Sequence, residues 1–132
     1  MSKRDMIVEK AREWLGVKFR HQGRNRKGID CVGLVLAINN EVNGEAREIT
    51  GYERRPNQKK VHELMKANLV KIRPEEARPG DVVLMAYDMG ATHLGILTES
   101  TIIHAFMQTR KVVEQPRESQ HIVAYYRMPG VE

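Results

Sequence analysis

The chain has 132 residues, 41% hydrophobic and 30% charged, a composition too apolar for a disordered chain and the size of one domain, so a single domain over residues 1–132 is expected. No run approaches the roughly 18 apolar residues that cross a bilayer, and the charged start MSKRDMIVEKAREW lacks the apolar stretch of a signal peptide, which predicts cytoplasmic synthesis and no membrane insertion. The net charge of +5 favours anionic partners, and the lone Cys31 excludes an intramolecular disulfide.

From Lys3 to Leu15, Ile7, Ala11, Trp14 and Leu15 recur at helical spacing, and Gly16 stands where a left-handed cap belongs. The stretch VKFRHQGRNRKGID then reads as an exposed loop, rich in Arg, Lys and Gly without a repeating apolar face. Asp30 is placed to cap a second helix whose face is Leu34, Val35, Ile38 and Val42, ending at Asn43-Gly44. Residues 43 to 57 read as loop, and Val61, Leu64, Met65 and Leu69 predict a short third helix. After Arg78-Pro79-Gly80 the runs DVVLM, HLGIL, TIIHAF, KVVE and IVAYYRM predict an antiparallel sheet of about five strands. Helices first and sheet second make an α+β class, with the Cys31 helix packed on the sheet.

Cys31 falls in the first turn of the second helix, where the dipole and free N–H groups favour a thiolate and can receive the oxygen charge of acyl transfer. As a nucleophile it requires a base, and histidine titrates in the right range. His62 and His121 read as surface or packing residues. His93 opens HLGIL after a turn and His104 lies in IIHAF; with a hairpin turn near Glu99 and Ser100, the two can face each other within hydrogen-bond reach. Base and orienting partner are then both supplied, and the thiol is predicted to ionise below its ordinary value. The same Cys, His and His could hold zinc with one open position, and Cys31 could be a small buried hydrophobe.

The segment REWLGVKFRHQGRNRKGIDCVGLV, followed in order by PGDVVLM, HLGIL and IIHAF, resembles the nucleophile and histidine regions of NlpC-type cell-wall endopeptidases. The resemblance covers roughly residues 5 to 128. The Arg-Gly-rich HQG loop and the ending VAYYRMP are most similar to the branch found in tailed phages and gene-transfer particles as tail-associated peptidases. It implies a papain-like fold, Cys31, His93 and His104 as catalytic triad, no metal or other cofactor, and hydrolysis of the bond between D-glutamate and the diamino acid of peptidoglycan stem peptides. It implies other phage tail proteins as partners and assembly into a tail or tail-like particle.

Val32 stands where the family often has Ser, and Phe19, twelve residues before Cys31, stands where many relatives have a Tyr whose hydroxyl binds the oxyanion. His21 and Gln22, with the Cys31 backbone, are the remaining oxyanion candidates. Phe19, Arg20 and Asp30 are expected at the substrate. Lys18, Arg20, Arg24, Arg26 and Lys27 crowd the loop before the cysteine, where they can attract stem-peptide carboxylates or simply be solvated. Nucleic acid is disfavoured, because aromatics are only 5% of the chain and no stacking platform interleaves the basic residues. The alternative to a hydrolase is a weak or inactive structural or adaptor component of a phage tail, for which Phe19 speaks; acyl transfer to an amine would use the same three residues.

Overall fold

Ser2 starts the first helix, α1 (Lys3–Glu13): its hydroxyl accepts the Asp5 N–H while the Asp5 carboxylate accepts the Ser2 N–H. Two donors of the open first turn are thus satisfied reciprocally. Ile7, Ala11 and Trp14 bury the inner face. Gly16 has φ +86°, two residues past the cap Trp14, and its N–H donates to the Val112 carbonyl, so the turn also ties the helix to the sheet. The computed structural model describes residues 1–54, 56–87 and 92–132.

The segment expected as a loop contains a short antiparallel hairpin, β1 (Arg24–Asn25) and β2 (Gly28–Ile29). It is fastened to α1 by Arg26, whose guanidinium lies 3.8 Å from the Trp14 ring centroid and donates to the Glu13 carbonyl at 2.6 Å. The second helix, α2 (Cys31–Asn43), begins at Asp30 and ends at Gly44, whose φ of +63° is the left-handed cap that Asn43-Gly44 signalled. Gly33 has a different reason. A Cβ there would stand 2.5 Å from the Gly23 carbonyl oxygen and 2.9 Å from Ile29 Cγ1, so glycine lets the first turn of α2 press on the hairpin backbone.

Asn57 caps α3 (Gln58–Asn68), which stops before Leu69; that residue is extended and leads into β3 (Val70–Ile72). The remaining strands are β4 (Val82–Ala86), β5 (Thr92–Leu97), β6 (Thr101–Phe106), β7 (Lys111–Pro116) and β8 (Ile122–Arg127). They form a six-stranded antiparallel sheet in the order β3-β8-β4-β5-β6-β7. The fold is α+β as expected, and the count of about five is corrected to six. The missed strand is an edge whose Val70 and Lys71 are exposed, so it carries no alternating apolar signal.

Val82, Leu84, Leu94, Ile96, Ile103 and Ala105 turn to the helical layer and join Leu34, Val35 and Ile38 of α2 in the main core. Alternation sends Val83, Met85, Leu97 and Ile102 to the other face, in a smaller cluster beside Tyr87, Ile122 and Tyr125. At the entry to β4 the fully buried Asp81 accepts from Arg4 at 3.1 Å and from two nitrogens of Arg127 at 2.9 and 3.0 Å, joining α1 to β8.

Candidate active site

Asp30 organises the approach to Cys31. Buried at 3% exposure, its carboxylate accepts from the Gly33 N–H at 2.8 Å, the Gln22 N–H at 2.7 Å, Arg24 Nη1 at 3.0 Å and the Tyr52 hydroxyl at 2.5 Å. A negative charge at the helix N-terminus satisfies open donors and fixes where the first turn begins. Arg24 extends the network to Glu48 at 2.9 Å and to the Ile49 carbonyl at 2.7 Å. Gln22 adopts φ +57°, and its amide donates toward His21 Nε2 and the Tyr52 carbonyl, each at 3.3 Å. Asp30 therefore holds the loop, the hairpin, Tyr52 and α2 together.

Cys31, partly buried, lines a cleft of about 860 Å³ together with Phe19, His21, Tyr52, Tyr87 and His93. Its sulfur meets the backbone N–H groups of Leu94, Val32 and Cys31 itself, which favour a thiolate, but burial and then the Asp30 charge outweigh them and push the thiol up to about 12. The low thiol expected from the helix terminus is thus corrected: burial of the sulfur, and after it the Asp30 charge, outweigh the positive end of α2.

His93 lies on β5 and His104 on β6. The register Ile96↔Ile103 and Leu97↔Ile102 makes them diagonal neighbours, with ring centroids 4.8 Å apart in an edge-on arrangement. The turn expected just before His93 lies outside the described residues. A Cβ on Gly95, between them in the pairing, would stand 2.4 Å from Ile102 Cγ2, so glycine permits the close approach of β5 and β6. Phe106 covers both rings, its centroid 5.6 Å from that of His93 and 4.9 Å from that of His104. Burial, reinforced by His104, holds His93 well below the usual imidazole value, and burial also lowers His104. Both rings are neutral at neutral pH. His104 Nε2 donates to Gln115 Oε1 at 2.7 Å, while His104 Nδ1 and His93 Nε2 are buried without a partner among the described residues.

The structure thus brings Cys31 and His93 to one cleft, with His104 behind His93. Phe19 and His21 line the same cleft, with His21 Nδ1 4.0 Å from Asp30 and its ring edge-on to Tyr52. Gln22 is outside the cleft lining, and Arg20 is exposed beside it in sequence. Of the five basic residues before Cys31, Arg24 and Arg26 are bound to the protein itself, and Lys18, Arg20 and Lys27 are exposed. His121, read as surface or packing, is exposed on the cleft rim; His62 pairs through Nδ1 with the Tyr126 hydroxyl. Among the described residues no cluster of three His, Cys, Asp or Glu is arranged to hold a metal ion. Tyr52 and Gln115 had no motif to mark them. Gln115 was reachable only by counting the β6–β7 hairpin, where it is diagonal to His104 through the pair His104↔Val113.

A cysteine at a helix N-terminus and a histidine on an antiparallel sheet thus share one cleft. The chain belongs to the NlpC/P60 family, whose model matches residues 16–129. It is 28% identical over 113 residues to the Murein DD-endopeptidase MepS/Murein LD-carboxypeptidase of Escherichia coli (strain K12), covering 85% of this chain and 54% of that protein. The chain thus spans about half the length of the curated relatives it matches. Among solved structures it is similar to the NlpC/p60 domain of the peptidoglycan hydrolase SagA, with a TM-score of 0.72 and 21% identity over 95% of this chain and 98% of that one. RipD from Mycobacterium tuberculosis, a non-catalytic NlpC/p60 protein adapted to peptidoglycan binding, has a TM-score of 0.63 at 16% identity, covering 98% of each chain.

Proposed function

We propose that the protein is a cysteine peptidase that hydrolyses peptidoglycan stem peptides, with Cys31 as nucleophile, His93 as base and His104 orienting it. The observation that carries this is a cleft-lining thiol beside a buried, uncharged imidazole pair that retains unpaired nitrogens. With thiol and imidazole both neutral at rest, proton transfer accompanies attack. His93 takes the sulfur's proton as Sγ bonds to the carbonyl carbon, and the carbonyl electron pair moves to oxygen, where the N–H groups of the α2 first turn can receive it. The protonated His93 then gives that proton to the departing amine, leaving a thioester. Water, deprotonated by His93, releases the acid and restores the thiol.

The bond between D-glutamate and the diamino acid is the proposed target, and a phage tail or tail-like particle the proposed setting, with tail proteins as partners; both rest on the sequence resemblance. The E. coli relative is named for DD-endopeptidase activity, which makes the cross-link the competing target. Incubation with purified peptidoglycan fragments and mass spectrometry of the products tests all of this. Cleavage at the D-glutamyl bond, lost in Cys31→Ala, is the expected result, and equal turnover by that variant would eliminate the assignment.

A second reading, a peptidoglycan-binding or adaptor domain with little activity, is favoured by Phe19 on the cleft wall, whose own ring carries no hydroxyl, and by the raised thiol. Tyr52 is no substitute, because its hydroxyl is bound to Asp30 and accepts from Arg24 at 2.9 Å. One oxyanion donor is worth roughly 2.7–4 kcal/mol. Phe19→Tyr is therefore expected to raise kcat at nearly constant KM; if His21 already supplies the donor, His21→Ala instead costs at least about tenfold and Phe19→Tyr gains nothing.

A further inference from the structure

We propose that Gln115 is a positioning residue whose side-chain oxygen sets the proton direction of the His93–His104 pair. An amide oxygen can only accept, so its 2.7 Å contact with His104 requires the proton on Nε2 and leaves the lone pair on Nδ1. Among the described residues that Nδ1 is buried without a partner, and so is Nε2 of His93 in the adjacent ring, 4.8 Å away between centroids. The two orphans are complementary only if His93 carries its proton on Nε2 and donates to His104 Nδ1. His93 Nδ1 is then bare and able to take a proton from Cys31. With the amide reversed, every proton on the line shifts by one nitrogen, and His93 would present an N–H to the thiol instead of a lone pair.

His104 has no exposure, so no solvent selects its tautomer; its ring is enclosed by Phe106, stacked at 4.9 Å, by His93 and by Gln115. Among the polar contacts described for these two rings, the one to Gln115 alone distinguishes the two ends of the pair. Among the described residues neither ring forms a hydrogen bond or ion pair with a charged group, and the direction is set by one neutral acceptor half-buried on β7.

This inference rests on the proposed roles of Cys31, His93 and His104 for its catalytic meaning, but its core is tested without substrate. Long-range 1H–15N correlation on the 15N-histidine-labelled protein reads the tautomer of each ring. Wild-type His104 is expected as the Nε2–H form. Gln115→Met, of similar length without an acceptor, is expected to lose that preference, with kcat down at least about tenfold and KM little changed. Gln115→Glu is expected to keep the Nε2–H form and to move the acid limb of the kcat/KM profile to higher pH, because a carboxylate stabilises the protonated pair. If Gln115→Met does not fold, the wild-type tautomer and Gln115→Glu decide. An Nδ1–H form of His104 in wild type, an unchanged tautomer in Gln115→Met, or a Gln115→Glu variant without the Nε2–H form overturns the proposal. The expected tautomers in a wild type that turns over no peptidoglycan would uphold the proton order while sinking the hydrolase reading.

Discussion

His93 and His104 are held neutral by burial, so in the folded protein they take up protons only below the range in which the unfolded chain does. Below about pH 6.5 the unfolded state binds more protons, and stability falls with pH by up to about 1.4 kcal/mol per unit for each buried ring. Urea titrations from pH 7 to 5 should show this loss, reduced in His93→Asn; a flat profile would contradict buried neutral imidazoles. The thiol, pushed up to about 12, should react with iodoacetamide at pH 6 more slowly than a cysteine-containing peptide. Faster labelling would restore a thiolate–imidazolium pair at rest. Cys31, His93 and His104 were legible because a helix start and a hairpin count fix their neighbourhood. The state of the thiol was not, since it depends on how deeply the sulfur is packed and how near Asp30 comes, which no local pattern encodes.

The first turn of α2 is positioned by a backbone contact. Gly33→Ala puts a methyl 2.5 Å from the Gly23 carbonyl oxygen, a position only main-chain movement can relieve. A loss of roughly 1–3 kcal/mol is expected, with reduced turnover because Cys31 moves with the turn. Unchanged stability in thermal denaturation would show that hairpin and helix are less tightly coupled than their geometry implies. Helices α1, α2 and α3 and the strands β4 to β8 were readable from caps and apolar spacing. The β1–β2 hairpin was hidden, because two-residue strands have no periodicity, and Arg24, which reads as a free surface charge, is bound within the protein. Leu69 looks like a further helical position, yet it is the extended residue that starts β3.

Across the molecule, the ties between distant segments are ionic as well as apolar. Asp81, fully buried, joins Arg4 of α1 and Arg127 of β8, with the Arg78 N–H donating at 2.9 Å. Asp81→Ala leaves two guanidinium groups without their shared carboxylate, one of them Arg4 at 7% exposure, and is expected to cost roughly 3–5 kcal/mol in urea unfolding. A loss near zero would mean that the two arginines find equivalent acceptors. The layering of helices on a sheet was readable from element order, whereas partners 74 or more positions apart, such as Arg4 and the Arg78 carbonyl, leave no mark on the sequence between them. The Arg26–Trp14 contact has an optical consequence. Trp14 is the sole tryptophan of the chain, and the cation over its ring belongs to the hairpin that braces the Cys31 helix. Its fluorescence emission therefore reports one joint of the molecule, the seating of that hairpin on α1, so detachment beside the cleft can be followed separately from global unfolding seen by circular dichroism.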